Sequence, residues 1–96
     1  MKNIQVIAII KVDINHETET LQHLNILVDK TRKEKGCLQY NLVKDQQEDG
    51  TFVMVELWET SESLKLHSQS THLADFGAYL HKIGGKLTIH TGEIIL

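Results

Sequence analysis

The chain has 96 residues, of which 41% are apolar and 24% are charged; this composition is typical of a globular protein and excludes a disordered chain. Ten basic and thirteen acidic side chains give a net charge of −3, which argues against nucleic acid or an anionic membrane as the main partner. The single cysteine excludes an internal disulfide and fits a reducing compartment, so we expect a cytoplasmic protein. Proline is absent and no linker or repeat interrupts the chain, which indicates one domain over residues 1–96.

The first part of the chain predicts a strand followed by a helix. Residues 3–12 are apolar on both alternating faces, which is typical of a buried central strand. Gln5 and Lys11 make this run too polar for a signal peptide or a membrane span. In the segment that ends at residue 35, apolar side chains recur at steps of three and four, as in an amphipathic helix, and Gly36 provides the stop. The predicted helical stripe consists of Leu21, Leu24, Leu27, Val28 and Thr31.

Residues 37–58 predict an antiparallel hairpin, with a strong turn signal at Asp49 and Gly50. The first strand, residues 37–44, alternates between apolar and polar side chains, and the second strand, residues 52–58, is the clearest in the chain. The apolar face of the first strand is predicted to hold Leu38, Tyr40 and Leu42.

The last third of the chain predicts two short helices and a final strand. Thr60 or Ser61 can cap the first of these helices, Ser70 can cap the second, and Gly84 follows the end of the second. The apolar face of the second helix consists of Leu73, Phe76, Leu80 and Ile83, and the last strand is expected to hold Leu87, Ile89, Ile94 and Ile95. The order β-α-β-β-α-β predicts an α+β, ferredoxin-like fold: a four-stranded antiparallel sheet with helices on one face.

Both faces of the predicted sheet are apolar, although helices can cover only one of them. The uncovered face would contain Ile7, Ile9, Val53, Val55 and Leu57. Each such side chain left in water forfeits about 1.5–3 kcal/mol of burial free energy. We therefore expect a homodimer in which the uncovered sheet faces pack together.

Glu56 is the most informative single residue, because it lies within an apolar strand on the same face as Trp58. Beneath the helices its carboxylate would be partly desolvated and would need a partner. Desolvation would raise its pKa, whereas a nearby cation or hydrogen-bond donor would lower it. Glu56 is either an acid/base or histidine-orienting group in a cavity, or a structural carboxylate bonded to a backbone or histidine donor.

Among the six histidines, His67 and His72 bracket the break between the two short helices. The positive end of the second helix should lower the pKa of His72 and leave a neutral ring that can accept a proton. His67, near the end of the preceding helix, should have the opposite tendency. Each of the two also fits a surface or structural role, and His16 and His23 are expected to be solvated.

The sequence gives only weak indications of a metal site, a nucleotide cofactor or a nucleophilic cysteine. The spacing of His67 and His72 is not a recognised metal-ligand pattern, and paired cysteines and an HExxH helix are absent, so we expect no metal. The chain has no Gly-rich phosphate loop, so no nucleotide cofactor is expected either. Cys37 could be a nucleophile only with a base beside it, and a small apolar strand residue is the simpler interpretation.

Two stretches of the chain match a known pattern. From Glu34 to Tyr40 the sequence reads E-x-G-C-x-x-Y. The second stretch, residues 52–72, places four functional residue types at characteristic offsets: Glu56, Trp58, His67 and His72. Together the stretches resemble the signatures of the antibiotic biosynthesis monooxygenase (ABM) domain family, in particular its quinol monooxygenase branch. The likeness covers about residues 3–95.

The resemblance implies a ferredoxin-like protomer in a homodimer, a dimeric α+β barrel with a pocket between sheet and helices in each protomer. Members resembling this chain oxidise quinols or polyphenolic aromatics with O2, without flavin, haem or metal. A deprotonated quinol donates electrons to O2 itself, so the protein must supply a base and donors for the oxyanion. By motif match, His72 or His67 would be the base and Glu56 would orient it. The substrate-binding set would be Trp58, Tyr40, Met54 and Phe76.

The resemblance leaves other activities open. The superfamily includes haem-degrading enzymes, in which His67 or His72 would be the axial ligand. It also includes isomerases of phosphorylated signalling sugars, whose phosphate needs cations, whereas Arg32 is the only arginine of this chain. A non-catalytic protein that binds a planar apolar ligand is the alternative from a different class.

Overall fold

Four strands and three helices make up residues 3–96, the part of the chain that the computed structural model describes. The strands are β1 (Ile4–Lys11), β2 (Cys37–Lys44), β3 (Thr51–Trp58) and β4 (Lys86–Glu93). The helices are α1 (Glu17–Thr31), preceded by a 3-10 turn at Ile14–His16, α2 (Ser61–Ser68) and α3 (Thr71–Lys82). The strands pair antiparallel in the order β2-β3-β1-β4, which confirms the ferredoxin-like topology and the central position of β1.

The alternation along β1 and β3 decides which side chains lie beneath the helices. On the helix side, Met54 and Glu56 are at most 5% exposed, whereas Val53 and Val55 on the other face are only partly buried. β1 follows the same pattern, because Val6, Ala8 and Ile10 are buried, whereas Ile7 and Ile9 on the other face are only partly buried. The predicted assignment of faces is therefore confirmed.

A β-bulge in β2 changes one predicted face. The pairing with β3 moves from Cys37 opposite Trp58 to Gln39 opposite Leu57, so that Leu38 is an extra residue. Leu38 is consequently 51% exposed, and the prediction that it shares a face with Tyr40 is wrong. Beyond the bulge, Tyr40 lies directly opposite Glu56, which places both residues on the helix side of the sheet.

Helix α1 buries a polar residue where an apolar one was expected. Leu21 is 48% exposed, whereas Thr20 is fully buried with its hydroxyl 3.0 Å from the Tyr79 hydroxyl on α3. The rest of the predicted stripe, Leu24, Leu27, Val28 and Thr31, is buried. His23, which was expected to be solvated, stacks on the Tyr79 ring at a centroid distance of 3.8 Å. The α1–α3 contact therefore combines apolar packing with a satisfied hydroxyl pair.

The turn between α1 and β2 lies tightly against the start of α2. α1 ends at Thr31, before the predicted stop, and Gly36 instead takes a positive φ of 87° at the entry to β2. A Cβ atom at Gly36 would lie 2.4 Å from Ser63 Cβ, so a side chain at this position would collide with α2. This close contact brings the turn, and with it Glu34, beside α2.

The break between α2 and α3 is formed by two helix caps. Thr60 caps α2 through a capping box with Ser63, and the Ser70 hydroxyl accepts from the Leu73 amide at the start of α3. Both caps agree with the sequence prediction. As a result, His67 is near the C-terminal end of α2 and His72 is in the first turn of α3, so the two rings meet across the break.

The far edge of the sheet is open. Every residue of β4 is exposed, and Ile94 and Ile95, expected in this strand, lie after its end at Glu93. Leu87 and Ile89 pair with β1 residues of the helix-side face but remain 43% and 57% exposed. Within residues 3–96, no helix is long and apolar enough to cross a membrane.

Candidate active site

A cavity of about 440 Å³ lies between the sheet and the helices α2 and α3. Its walls are mainly apolar and come from β1, β3, both helices and the open edge at β4; they include Val6, Ala8, Ile10, Met54, Leu64, Leu73, Phe76, Leu87 and Ile89. Tyr40, Glu56 and His67 also line it, and the remaining polar lining residues are Ser61, Lys65, Ser68 and Thr91. A mainly apolar cavity with a few convergent polar groups is the usual form of a small-molecule binding site.

Glu56 lines this cavity with a carboxyl group that is mostly removed from water. Its Oε1 accepts a 2.9 Å hydrogen bond from the indole Nε1 of Trp58. Burial raises the pKa of Glu56 to about 7; the indole donor opposes the shift and the negative charge of Glu34 adds to it. The predicted desolvation is thus present, but the partner is an indole rather than a histidine. At neutral pH, Glu56 can both donate and accept a proton.

Glu34 joins the two histidines. One carboxylate oxygen, Oε2, lies 2.7 Å from Nδ1 of His67 and 2.9 Å from Nε2 of His72. A carboxylate can only accept hydrogen bonds, so each of these ring nitrogens carries a proton and donates a hydrogen bond to Glu34. In this tautomer, Nε2 of His67 keeps a free electron pair, and the ring lines the cavity. Glu34 therefore has the orienting position that was expected for Glu56.

The electrostatics of His67 differ from the expectation. Its side chain is only 4% exposed, and burial lowers its pKa, although Glu34 opposes the shift. The prediction that the helix end would favour the imidazolium form is therefore wrong for His67, because desolvation outweighs the helix dipole and the carboxylate.

The aromatic residues of the predicted set have different positions. Tyr40 lines the cavity, and burial raises the pKa of its phenol, which therefore stays protonated as a hydrogen-bond donor. Trp58 is fully buried behind the cavity wall, with its ring 4.6 Å from His67 and 6.4 Å from Tyr40 between centroids. Trp58 thus supports His67 and Glu56 from behind.

The structure brings most of the predicted site residues to one cavity. His67, Glu56, Tyr40, Met54 and Phe76 line it. Trp58 contacts Glu56 and His67 from behind, and His72 is linked to His67 through Glu34. Sequence reasoning assigned no role to Glu34. The one sequence feature that pointed to Glu34 was its position at the start of the E-x-G-C-x-x-Y stretch. Nothing local indicated that its carboxylate would bind two histidines that follow it by 33 and 38 residues in the chain.

Cys37 is not an activated nucleophile. Burial raises the pKa of its thiol, and the carboxylates of Glu34 and Glu56 add to the shift. Its Sγ contacts the Gln39 carbonyl at 3.8 Å. Because the thiolate is the reactive form, Cys37 is best described as a small, partly buried strand residue.

Fold and cavity together define a small ferredoxin-like protein with ionisable side chains in a mainly apolar site. The antibiotic biosynthesis monooxygenase family model matches residues 3–79. "Putative monooxygenase YcnE" from Bacillus subtilis is 37% identical over 71 residues, which are 74% of this chain and 75% of that protein. The crystal structure of PA3566 from Pseudomonas aeruginosa has a TM-score of 0.91 and 26% identity, covering 100% of this chain and 97% of that chain. A crystal structure of an antibiotic biosynthesis monooxygenase has a TM-score of 0.89 and 26% identity, covering 97% of this chain and 99% of that chain.

The chain therefore belongs to the antibiotic biosynthesis monooxygenase family. The family match runs from β1 into α3. It therefore includes Tyr40, Glu56, His67 and Phe76, which line the cavity.

Proposed function

We propose that this protein is a cofactor-independent monooxygenase that oxidises a quinol or polyphenolic aromatic with O2. The observation that carries the proposal is the convergence of Tyr40, Glu56 and His67 on one mainly apolar cavity. A planar diol fits such a site, because its ring can be buried while its hydroxyls meet an acceptor and two donors. The single cysteine remains consistent with a cytoplasmic enzyme.

His67 is the general base of the proposed reaction. Its Nδ1 proton is held by Glu34, so the ring is oriented and Nε2 is the nitrogen left to accept a proton from a substrate in the cavity. His72 is a positioning residue, since its hydrogen bond to the same carboxylate oxygen helps to hold Glu34 in place. The substrate hydroxyl gives its proton to His67, and the Tyr40 hydroxyl donates to the oxyanion that forms.

The electrons for the reaction come from the substrate itself. The quinolate transfers one electron to O2, and the resulting semiquinone and superoxide combine at a ring carbon to form a C–O bond. Loss of the C–H proton from that carbon and cleavage of the O–O bond then release water, with Glu56 protonating the departing oxygen. The balance is quinol + O2 → hydroxyquinone + H2O. Of the four electrons that O2 accepts, two come from oxidation of the diol and two from the C–H bond.

Turnover of menadiol under oxygen-18 gas tests the proposed function. The metal-free protein should form hydroxylated menadione with one labelled oxygen atom, well above the rate in buffer alone. Formation of unlabelled menadione at the buffer rate would contradict the proposal. Tight menadione binding without turnover would instead indicate a ligand-binding protein. Stoichiometric haem binding with a shifted Soret band would indicate haem chemistry.

We also propose that the protein is a homodimer formed through the open sheet face. This face presents apolar side chains that a single chain leaves only partly buried: Ile7, Ile9, Val53, Val55 and Leu57. Burying them against a second copy would contribute roughly 25 cal/mol for each Å² of apolar surface. We expect size-exclusion chromatography with light scattering to give twice the chain mass of 11.0 kDa at micromolar concentration.

A variant that places a charge in the centre of the open face tests the proposed dimer, and the same charge on an exposed helix is its control. Val55→Lys is expected to give a monomer, because the lysine would have to be buried unpaired in the interface. Glu62→Lys, an exposed change on α2, should leave the mass unchanged. A wild-type protein that elutes and scatters as a monomer would contradict the proposed dimer.

A further inference from the structure

We propose that Glu34, His67 and His72 form a binding site for a divalent transition metal ion of the Zn²⁺ or Co²⁺ type. We further propose that an ion bound there stops His67 from acting as a base. The binding site stands on its own geometry, whereas the inhibitory effect rests on the function proposed above.

The three side chains already converge as ligands. Their donor atoms, two imidazole nitrogens and one carboxylate oxygen, all lie within 4.8 Å of one another. Two imidazoles and a carboxylate are a common set for zinc and its neighbours, with a remaining position for water. The oxygen–nitrogen distances of 2.7 and 2.9 Å would have to widen to about 3.3 Å, the separation of two ligands on a tetrahedral zinc. Each of these two distances therefore has to change by less than 1 Å to admit the ion.

The frame around the cluster is preorganised. Its ligands come from three different segments, namely the α1–β2 turn, the end of α2 and the start of α3. The close approach of Gly36 to Ser63 fixes the turn against α2, and the Ser70 cap fixes the start of α3. The side chains of Glu34 and His72 are each 18% exposed, so an ion can reach them from solvent, while Trp58 backs the ring of His67. Glu34 supplies the negative charge that a cation needs.

Metal binding would change what His67 presents to the cavity. An ion on Nδ1 requires the electron pair of that nitrogen, so the ring proton must move to Nε2. Nε2 would then donate a hydrogen bond instead of accepting one and could not take the substrate proton. Of the three ligand residues only His67 lines the cavity, so the ion itself would lie behind the cavity wall. The site is therefore suited to regulation rather than to direct contact with substrate.

Co²⁺ titration tests the site without reference to activity. Trp58 is the only tryptophan and lies 4.6 Å from the ring of His67, so Co²⁺ at the cluster should quench its fluorescence and show d–d absorption bands. Zn²⁺ should displace Co²⁺, restore the fluorescence and raise Tm. The expected affinity is micromolar or better, and His72→Ala and Glu34→Gln should each weaken binding by about tenfold or more.

The control for this titration is His81→Ala, which removes an exposed histidine in the last turn of α3 and should bind Co²⁺ like the wild type. Far-UV circular dichroism checks that each variant is folded, and Glu34→Gln keeps the side-chain shape if His72→Ala does not fold. Absence of saturable quenching below millimolar Co²⁺, or equal affinity in His72→Ala and wild type, would overturn the site.

Zinc inhibition of menadiol turnover tests the second part. Turnover by the wild type should fall in proportion to Zn²⁺ occupancy and return on addition of a chelator, whereas residual turnover by His72→Ala should resist the same concentration. Metal binding with undiminished turnover would overturn the inhibitory effect alone. A protein that binds Co²⁺ at the cluster but has no turnover at all would retain the site and refute the proposed function.

Discussion

His67→Ala is expected to lower the rate of menadiol hydroxylation by about 10²- to 10⁴-fold, the range typical for loss of a general base. The reason is geometric, because His67 is the imidazole that lines the cavity and its Nδ1 is already engaged by Glu34. Menadione binding should change much less than the rate, since most of the cavity wall is apolar and remains in place. The measurement is the initial rate of labelled product formation against menadiol concentration.

Two comparisons separate a base from a structural residue. Added imidazole should restore part of the activity of His67→Ala by occupying the space that the ring leaves, which a purely structural defect would not allow. His81→Ala, which removes an exposed histidine in the last turn of α3, should retain full activity. Wild-type rates in His67→Ala would remove this residue from the proposed reaction, whatever its effect on stability.

Glu56→Gln is expected to stabilise the protein at pH 8 by up to about 3 kcal/mol and to have little effect near pH 4. The pKa of Glu56 is about 7 in the folded state because of burial, against 4.5 for an unperturbed glutamate. The folded state therefore binds the Glu56 proton more tightly than the unfolded state does. The stabilisation that this tighter proton binding gives the folded state is fully present below about pH 4.5 and is lost as the pH rises through about 7. Glutamine avoids this loss because it stays neutral and can still accept from the Trp58 indole.

Urea unfolding from pH 4 to pH 8, at one protein concentration, measures this effect. The difference between Glu56→Gln and wild type should grow with pH over the interval between the two pKa values. Asp75→Asn, the same carboxyl-to-amide change at an exposed position of α3, should shift stability by no more than about 0.5 kcal/mol. A Glu56→Gln difference that is constant across this pH range would mean that the carboxyl group is not desolvated.

Local patterns were sufficient for the elements and for one side of the site. The period-two alternation of β3 placed Met54, Glu56 and Trp58 on the covered face, because successive strand residues point to opposite sides. The caps at Thr60 and Ser70 located the break between α2 and α3, since a hydroxyl before a helix satisfies its free amides. These features depend only on near neighbours in the chain.

Periodicity was insufficient where the backbone departs from regular geometry. The bulge at Leu38 adds one residue to β2 and so moves it off the face that alternation predicts, although no residue type marks the insertion. Thr20 is buried instead of Leu21 because its hydroxyl finds the Tyr79 hydroxyl on α3, a partner far away in sequence. Both outcomes depend on packing between elements.

The sequence by itself determined the order of strands and helices, the covered face of the sheet and the family resemblance, because each depends on spacing along the chain. Only the tertiary structure decided that Glu34, rather than Glu56, holds His67, and that Glu56 pairs with an indole. It also decided the direction of the His67 pKa, which burial lowers against the helix end and the carboxylate. Hydrogen-bond partners and desolvation depend on which distant segments meet, and no periodicity in the chain encodes that meeting.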